Sequence, residues 1–316
     1  MPQVTDWQIR EERAESPGSG EVLVAVRYVS VSPSLRSQME AGGAYLPPLQ
    51  IGDVARARGV GEVLESRSPE FTPGDHVEGL LGTQSHFTGP AAGLMKVDPM
   101  VAPLPRYLGA LGMTGFTAYF GMLEIGRPAA GETVVVSAAA GAVGSIAGQI
   151  AKLRGCRVIG IAGGADKCAH VVSALGFDGC FDHLEGRIDT RLAEAAPDGV
   201  NVYFDNVGGR VLDEVLLHLA RRARVCLCGG IAHYNKAGDI SLRNHLKLLE
   251  TRSRIEGFSV YDYADRFVEA RDYLAALLGD GSIVSQEHVE EGLERFPDVL
   301  RQLFGGPQIG KLMIKV

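Results

Sequence analysis

The stretch from Thr133 to Lys167, TVVVSAAAGAVGSIAGQIAKLRGCRVIGIAGGADK, limits the fold more than any other part of the chain. Val134, Val135 and Val136 form a short β-branched run of the kind found in a strand buried on both faces. The turn after it reads Ala139-x-Gly141-x-x-Gly144, the glycine spacing of a dinucleotide site with alanine at its first position. At the second position Gly141 lets the backbone approach a pyrophosphate, and at the third Gly144 lets the next helix pack close to its strand. A helix is predicted over Val143–Arg154, with its free N–H groups and positive dipole end aimed at the phosphates. A second strand, Arg157–Ala162, follows, so the glycines sit between strand and helix as the motif requires.

Elsewhere the pattern divides. Val22–Val31 alternates, Gly59–Ser66 is strand-like, and Phe71–Val77 runs from a Pro-Gly turn into a strand. Short strands with such turns suggest a small barrel ending near the proline-rich stretch Pro99–Pro105. Residues 107–125 have helical spacing. Beyond the opening unit come helix Ala165–Leu175, strand Cys180–Asp182, helix Gly186–Ala195, strand Asn201–Asp205, helix Gly209–Leu219 and strand Arg224–Cys228. Helix Leu242–Arg254, strand Ile255–Val260 and helix Arg266–Leu278 continue the alternation, which means a parallel sheet with helices on both faces. The tail returns to strand Glu287–Glu291, helix Leu293–Leu303 and strand Gly310–Val316. Residues 1–111, completed by 285–316, are therefore expected to form one domain, and residues 112–284 the nucleotide-binding one.

With 316 residues there is enough chain for two domains and a large core. A net charge of −7 without a long basic run argues against a nucleic-acid or anionic-membrane partner. No apolar stretch approaches the roughly 20 residues of a membrane helix. The polar start MPQVTDWQIREERAE is no signal peptide, so cytoplasmic residence is expected. All five cysteines lie in the second half, and the odd number argues for free thiols. Cys226-x-Cys228 would share one face of a strand, yet no second pair or nearby histidine completes a metal site.

Several motifs in one order carry a family likeness: Gly112–Tyr119 (GMTGFTAY), Gly148–Leu153 (GQIAKL), Gly163–Cys168 (GGADKC), Leu175–Asp178 (LGFD), Phe204–Gly209 (FDNVGG) and Cys228–Ile231 (CGGI). With the fingerprint they resemble the medium-chain dehydrogenase/reductase superfamily, in its branch of prostaglandin reductases, plant alkenal double-bond reductases and bacterial curcumin reductases. The resemblance implies a GroES-like β-barrel domain plus a Rossmann domain, a homodimer, and no zinc. It also implies NADPH-dependent reduction of the C=C bond of α,β-unsaturated ketones or aldehydes. The first 111 residues contain no cysteine, so the cysteine ligand of zinc alcohol dehydrogenases has no counterpart there.

The second strand ends Ile161-Ala162-Gly163-Gly164 without a carboxylate, which leaves room for a 2′-phosphate, and Lys167 supplies a counter-charge. Asp166 is the counter-argument, since it could meet a ribose; an N-terminal helix position suits it better. In the related reductases a lysine at the place of Lys167 binds that phosphate, and His183 stands where prostaglandin reductases carry a tyrosine near it. The resemblance further assigns to the cofactor Met113 and Thr117, Ala140, Ala142 and Val143 of the turn, Asn206, Cys228, Gly229, Gly230, Ile231, Tyr234, Phe258, Ser259 and Val260. Gln308 replaces the asparagine that relatives carry near the C-terminus. For the chemistry it points to Tyr45, in Ala44–Pro48; Tyr261 is a second candidate because it follows the segment expected to line the nicotinamide and could close the pocket.

Three departures stand out. Glu250 occupies the place of a tyrosine that some prostaglandin reductases use. Gly82-Thr83-Gln84-Ser85-His86 replaces a Gly-Trp-Gln-x-Tyr segment, with His86 expected in the place of a packed tyrosine, and His233–Leu242 is shorter than the proline-rich loop of many relatives. A quinone reductase of the same superfamily and an NADPH-binding protein with little turnover remain as alternatives at this point.

Overall fold

A computed structural model describes residues 1–40, 47–186, 188–235 and 241–316. Its strands are β1 Glu21–Ser30, β2 Gly59–Ser66, β3 His76–Gly79, β4 His86–Pro90, β5 Met95–Val97, β6 Thr133–Ser137, β7 Arg157–Ala162, β8 Gly179–Asp182, β9 Val200–Asp205, β10 Leu219–Leu227, β11 Arg254–Gly257, β12 Glu287–Glu291 and β13 Lys311–Lys315. The α-helices are α1 Ser34–Gln38, α2 Met113–Phe120, α3 Ala142–Leu153, α4 Ala165–Ser173, α5 Ile188–Ala195, α6 Gly209–Leu216, α7 Lys247–Thr251, α8 Phe267–Gly279 and α9 Phe296–Gln302. The chain divides into two compact units, Met1–Gly109 with Glu287–Val316, and Ala110–Gln286.

The first unit is organised on β1. β2 runs antiparallel along one edge, while β4 pairs with residues 21–25 and β13 with residues 28–30. Partners at both edges explain why β1 is buried nearly throughout instead of alternating. Val22, Val24, Val26 and Val29 pack with Val63, Val77, Leu81, Phe296, Leu300 and Ile314 into one apolar core. The C-terminal β12 and β13 close this sheet with the order β12-β13-β1-β2-β3-β5. His86 opens β4 with its side chain exposed, so the expectation that it fills a packed tyrosine's place fails. It is too polar for the core and lies beside Ser85, whose hydroxyl is 3.2 Å from Nδ1.

The second unit holds a six-stranded sheet of order β11-β10-β9-β6-β7-β8, parallel throughout. Counted from β6 the strand order is 3-2-1-4-5-6, the doubly wound dinucleotide topology, with its crevice where the order reverses beside β6. Val134, Val135, Val136, Ile159, Val202, Tyr203 and Phe204 are fully buried. Helix α3 lies close against the sheet because a Cβ on Gly144 would stand 2.4 Å from the Ala138 carbonyl oxygen. Further along, a Cβ on Gly148 would fall 1.8 Å from Cζ of Phe177.

Four stretches depart from the sequence pattern. The helical spacing of 107–125 becomes α2 followed by a π-turn at Gly121–Gly126; a Cβ at Gly121 would meet Phe258 and Phe204 at 2.5 and 2.7 Å. The helix predicted over Leu242–Arg254 shrinks to α7. Asn244 is diverted to Asp213, its N–H donating to Oδ1 at 2.8 Å, and Arg252 ends the helix at φ 55°. The helix from Gly209 stops at Leu216, and β10 begins at Leu219 instead of Arg224, with a register shift against β9 before Arg224. β10 also ends at Leu227, so Cys226 and Cys228 do not share a strand face as their spacing suggested.

Gly148→Ala is expected to destabilise the protein by about 2 kcal/mol, because the Phe177 ring lies where the added methyl must go. Urea unfolding followed by circular dichroism measures it; an unchanged midpoint would show that the ring moves aside freely.

Candidate functional site

The loops that leave the C-terminal ends of β6, β7, β8, β9, β10 and β11 gather at one edge of the parallel sheet. Ala138–Gly141 make the first of them. Ala138 takes φ 48°, a left-handed conformation, and Ala139 N–H donates to the Ile161 carbonyl at 3.0 Å. The alanine at the motif's first glycine position is therefore tolerated because the left-handed turn falls one residue earlier. Gly141 sits at the N-cap of α3 with only the Ala138 carbonyl oxygen, at 3.1 Å, crowding a hypothetical Cβ. The first N–H groups of α3, on Ala142, Val143 and Gly144, have no carbonyl within the helix to bond. An anion lying against Gly141 would meet a bare backbone and three donors.

The second loop joins β7 to α4. Gly164 has φ 99° and open space around its Cα, whereas a Cβ on Gly163 would lie 3.0 Å from Nε2 of His183. The room expected at both glycines thus exists at Gly164, and the His183 imidazole covers Gly163. Lys167 lies in the first turn of α4, half-buried, with its ammonium pKa lowered by that burial. Asp166 beside it is exposed. The carboxylate that closes β8 is Asp182, which accepts from the Gly164 N–H and, at 2.9 Å, from the Leu184 N–H. Those backbone bonds hold it below its ordinary pKa and tie it into the turn.

Arg210 is a residue the sequence reading missed. It stands in the first turn of α6, donates to the His183 carbonyl at 3.1 Å and pairs with Glu214 at 3.1 Å. The pKa of His183 is lowered, first by burial; Asp182 raises it, and Arg210 and Lys167 both repel its proton. Lys167, His183 and Arg210 therefore form one basic cluster beside Gly164. The only signal for Arg210 in the sequence is a basic residue directly after Gly208-Gly209.

A buried carboxylate fixes the next two loops. Asp205 Oδ1 accepts from Tyr203 OH at 2.7 Å, Ser137 Oγ at 3.1 Å, and the N–H groups of Val207 and Gly208 at 3.0 Å. Its Oδ2 is buried with no partner among the described residues, and burial raises the carboxyl pKa against the pull of those donors. The Asp205 carbonyl takes the N–H groups of Cys228 and Gly229 at 2.9 and 3.1 Å. Asn206 spends its side-chain N–H on the Ser137 carbonyl at 2.7 Å, joining the ends of β6 and β9.

The other expected positions are spread over several elements. Gly230, Ile231 and Tyr234 belong to the loop after β10, where Ile231 N–H reaches the Asn206 carbonyl at 3.4 Å. The Phe258 ring turns inward onto Phe204, centroids 6.5 Å apart, and Ser259 caps the turn that carries Val260 and Tyr261. Tyr261 is 46% exposed. Met113 and Thr117 are half-buried on α2, which packs against α3, and the Thr117 hydroxyl donates to the Met113 carbonyl at 2.6 Å. Ala140 is buried in the turn before α3. Gln308 belongs to the first unit, between α9 and β13, and its Oε1 is buried without a partner among the described residues. Tyr45 lies outside the described residues, as does most of the second half of the short 233–242 segment.

Comparison with known proteins adds the family. Residues 1–97 match the profile of an N-terminal domain of oxidoreductases, and residues 142–276 that of zinc-binding dehydrogenases. Over 321 residues the chain is 39% identical to the NADPH-dependent curcumin reductase of Escherichia coli, covering 100% of this chain and 93% of that protein. Identity to the NADP(+)-dependent 2-alkenal reductase of Nicotiana tabacum is 38% over 321 residues, covering 100% of this chain and 94% of that protein. The chain belongs to the medium-chain dehydrogenase/reductase superfamily, in the branch of curcumin, alkenal and prostaglandin reductases. The crystal structure of CurA from Vibrio vulnificus in complex with NADPH superposes with a TM-score of 0.93 at 37% identity, covering 100% of this chain and 95% of that one. The two units are thus the GroES-like and Rossmann domains of the superfamily. Although one matching profile carries zinc in its name, no group of three or more metal-binding side chains occurs among the described residues.

The His183 imidazole is expected to titrate below its ordinary value of 6.5, and to move up in Lys167→Ala and in Arg210→Ala as a repelling cation is removed. Nuclear magnetic resonance of the ring protons follows it; a pKa untouched by either substitution would dissolve the cluster.

Proposed function

We propose that the protein reduces the C=C bond of α,β-unsaturated ketones and aldehydes with NADPH as the electron donor. The observation that carries this reading is the basic cluster of Lys167, His183 and Arg210 beside open Gly164, in a chain similar over its whole length to NADPH-dependent reductases. The residues present fit the cofactor. The uncrowded face of Gly141 and the N–H groups opening α3 suit a pyrophosphate. The basic cluster suits an adenosine 2′-phosphate, while Asp182, the nearby acid, is committed to backbone donors. NADPH, when bound, supplies the hydride that goes to the β-carbon of the substrate.

The chain's own part is to hold, orient and donate. The Asp205 network fixes the 206–208 and 228–229 backbone, so that groups facing a nicotinamide ring keep their places. Tyr261 and Tyr45 are the hydroxyls proposed to donate to the carbonyl oxygen as negative charge develops there, and to supply the proton that completes reduction at the α-carbon. We also propose a homodimer resident in the cytoplasm. A symmetric dimer is the commonest soluble assembly, no helix among the described residues is long and apolar enough to cross a membrane, and light scattering on the purified protein tests the dimer.

NADPH oxidation followed at 340 nm against 2-alkenals, aryl enones and quinones, with products identified by mass spectrometry, tests the reaction. Saturated aldehydes and ketones are expected. Turnover of quinones alone would assign the protein to quinone reduction, and tight NADPH binding without turnover of any compound would make it a nucleotide-binding protein.

Lys167→Ala and Arg210→Ala are each expected to raise KM for NADPH about tenfold, since a charge-assisted bond to a phosphate contributes about 1.5–3 kcal/mol. KM for NADH should change less than about twofold in the same assay, because NADH lacks the phosphate. Equal changes for both nucleotides would remove the two cations from the phosphate site.

A further inference from the structure

Two thiols that the proposed nucleotide contacts do not use face each other across the α4–β8 packing. Cys168 follows Lys167 in the first turn of α4, and Cys180 lies within β8. Their sulfurs are 3.1 Å apart, with the Cys180 S–H donating to Cys168. Both thiols are free and half-buried. The other cysteines are placed differently: Cys156 donates to the Ala129 carbonyl at 3.2 Å, and Cys226 and Cys228 lie at the end of β10. A disulfide has its sulfurs about 2 Å apart, so closing the bond asks for a contraction of only about 1 Å.

We propose that Cys168 and Cys180 form a two-electron oxidation site, at which a hydroperoxide converts the facing thiols into a disulfide that staples α4 to β8. Cys168 is the attacking sulfur, because it accepts the hydrogen bond that stabilises a thiolate and Cys180 donates it. The Cys168 thiolate attacks one peroxide oxygen and the O–O bond breaks, leaving a sulfenic acid and, once the departing hydroxide takes up a proton, water. The Cys180 sulfur then attacks the Cys168 sulfur, the S–O bond breaks, and a second water leaves. In sum two thiols lose two protons and two electrons, and hydrogen peroxide takes them up as two waters. Burial raises both thiols, so the reaction is slow at neutral pH and quickens as rising pH increases the thiolate fraction.

The bridge would also act on the basic cluster. Lys167 precedes Cys168 in the helix turn that is drawn toward β8, and a binding group works within about 0.5 Å of its proper place. A displacement of about 1 Å therefore weakens the phosphate contact. This part rests on the NADPH reading of the site; the formation of the bridge does not.

The test treats the full chain with excess hydrogen peroxide, quenches with an alkylating reagent, and reads intact mass and cross-linked peptides. A loss of about 2 Da with a Cys168–Cys180 cross-linked peptide, reversed by dithiothreitol, is the expected result. In Cys180→Ser the Cys168 sulfenic acid should persist and be captured by dimedone, while in Cys168→Ser no such adduct should appear at Cys180. Oxidised wild-type protein should melt higher than reduced, by roughly 5 °C, and neither serine variant should show that rise. A disulfide that appears only in denaturant, or overoxidation of either sulfur without a cross-linked peptide, would overturn the site. The KM for NADPH of the oxidised protein should rise about threefold with that for NADH unchanged, and rise equally for neither or both if the link to Lys167 is wrong.

Discussion

The buried carboxylate of Asp205 is the interaction on which the nucleotide edge of the Rossmann domain depends. One oxygen gathers donors from β6, from β9 itself and from the turn beyond it, while its main-chain carbonyl holds the start of the loop after β10. Polar groups in a domain interior are costly unless bonded, and here the bonding converts that cost into a fixed arrangement. Three loops that depart from separate strands are given one reference point. The arrangement is one-sided, with Oδ2 left unpartnered among the described residues, and burial raises the carboxyl pKa despite the donors on the other oxygen.

Around that fixed edge the selection of the nucleotide proposed above is electrostatic. Lys167 comes from α4, His183 from the end of β8 and Arg210 from α6, so no single element holds the cluster. Burial and two neighbouring cations keep His183 short of its proton in the absence of an anion. A phosphate group entering there would meet both cations and favour the proton on His183, a gain that a ribose hydroxyl cannot provide. Asp182, the acid at the end of β8, is tied to the backbone N–H groups of Gly164 and Leu184.

Much of this was legible in the chain. The parallel sheet followed from the alternation of apolar strands and amphipathic helices, and β2, β7 and β12 have the ends that the pattern gave them. Those segments are bounded by turns whose chemistry is local. Elsewhere tertiary contacts overrode local preference: Asn244 bonds Asp213 instead of continuing a helix, and Gly121, where Phe204 and Phe258 leave no room for a Cβ, opens a π-turn in an otherwise helical stretch. His86 was expected inside and lies exposed at the start of β4.

The sequence by itself determined the class of fold and the kind of cofactor, because glycine spacing, strand periodicity and a missing acid after β7 are read along the chain, and its ordered motifs carried the likeness to the family. Gly141, Gly144 and Lys167 announce themselves by their place after a strand. Only the tertiary structure decided that His183 covers Gly163, that Arg210 joins Lys167, that Asp205 ties three loops, and that Cys168 meets Cys180. Each of these joins elements distant in sequence, and the distance between two side chains on different strands is set by sheet order and helix packing, which no local pattern specifies.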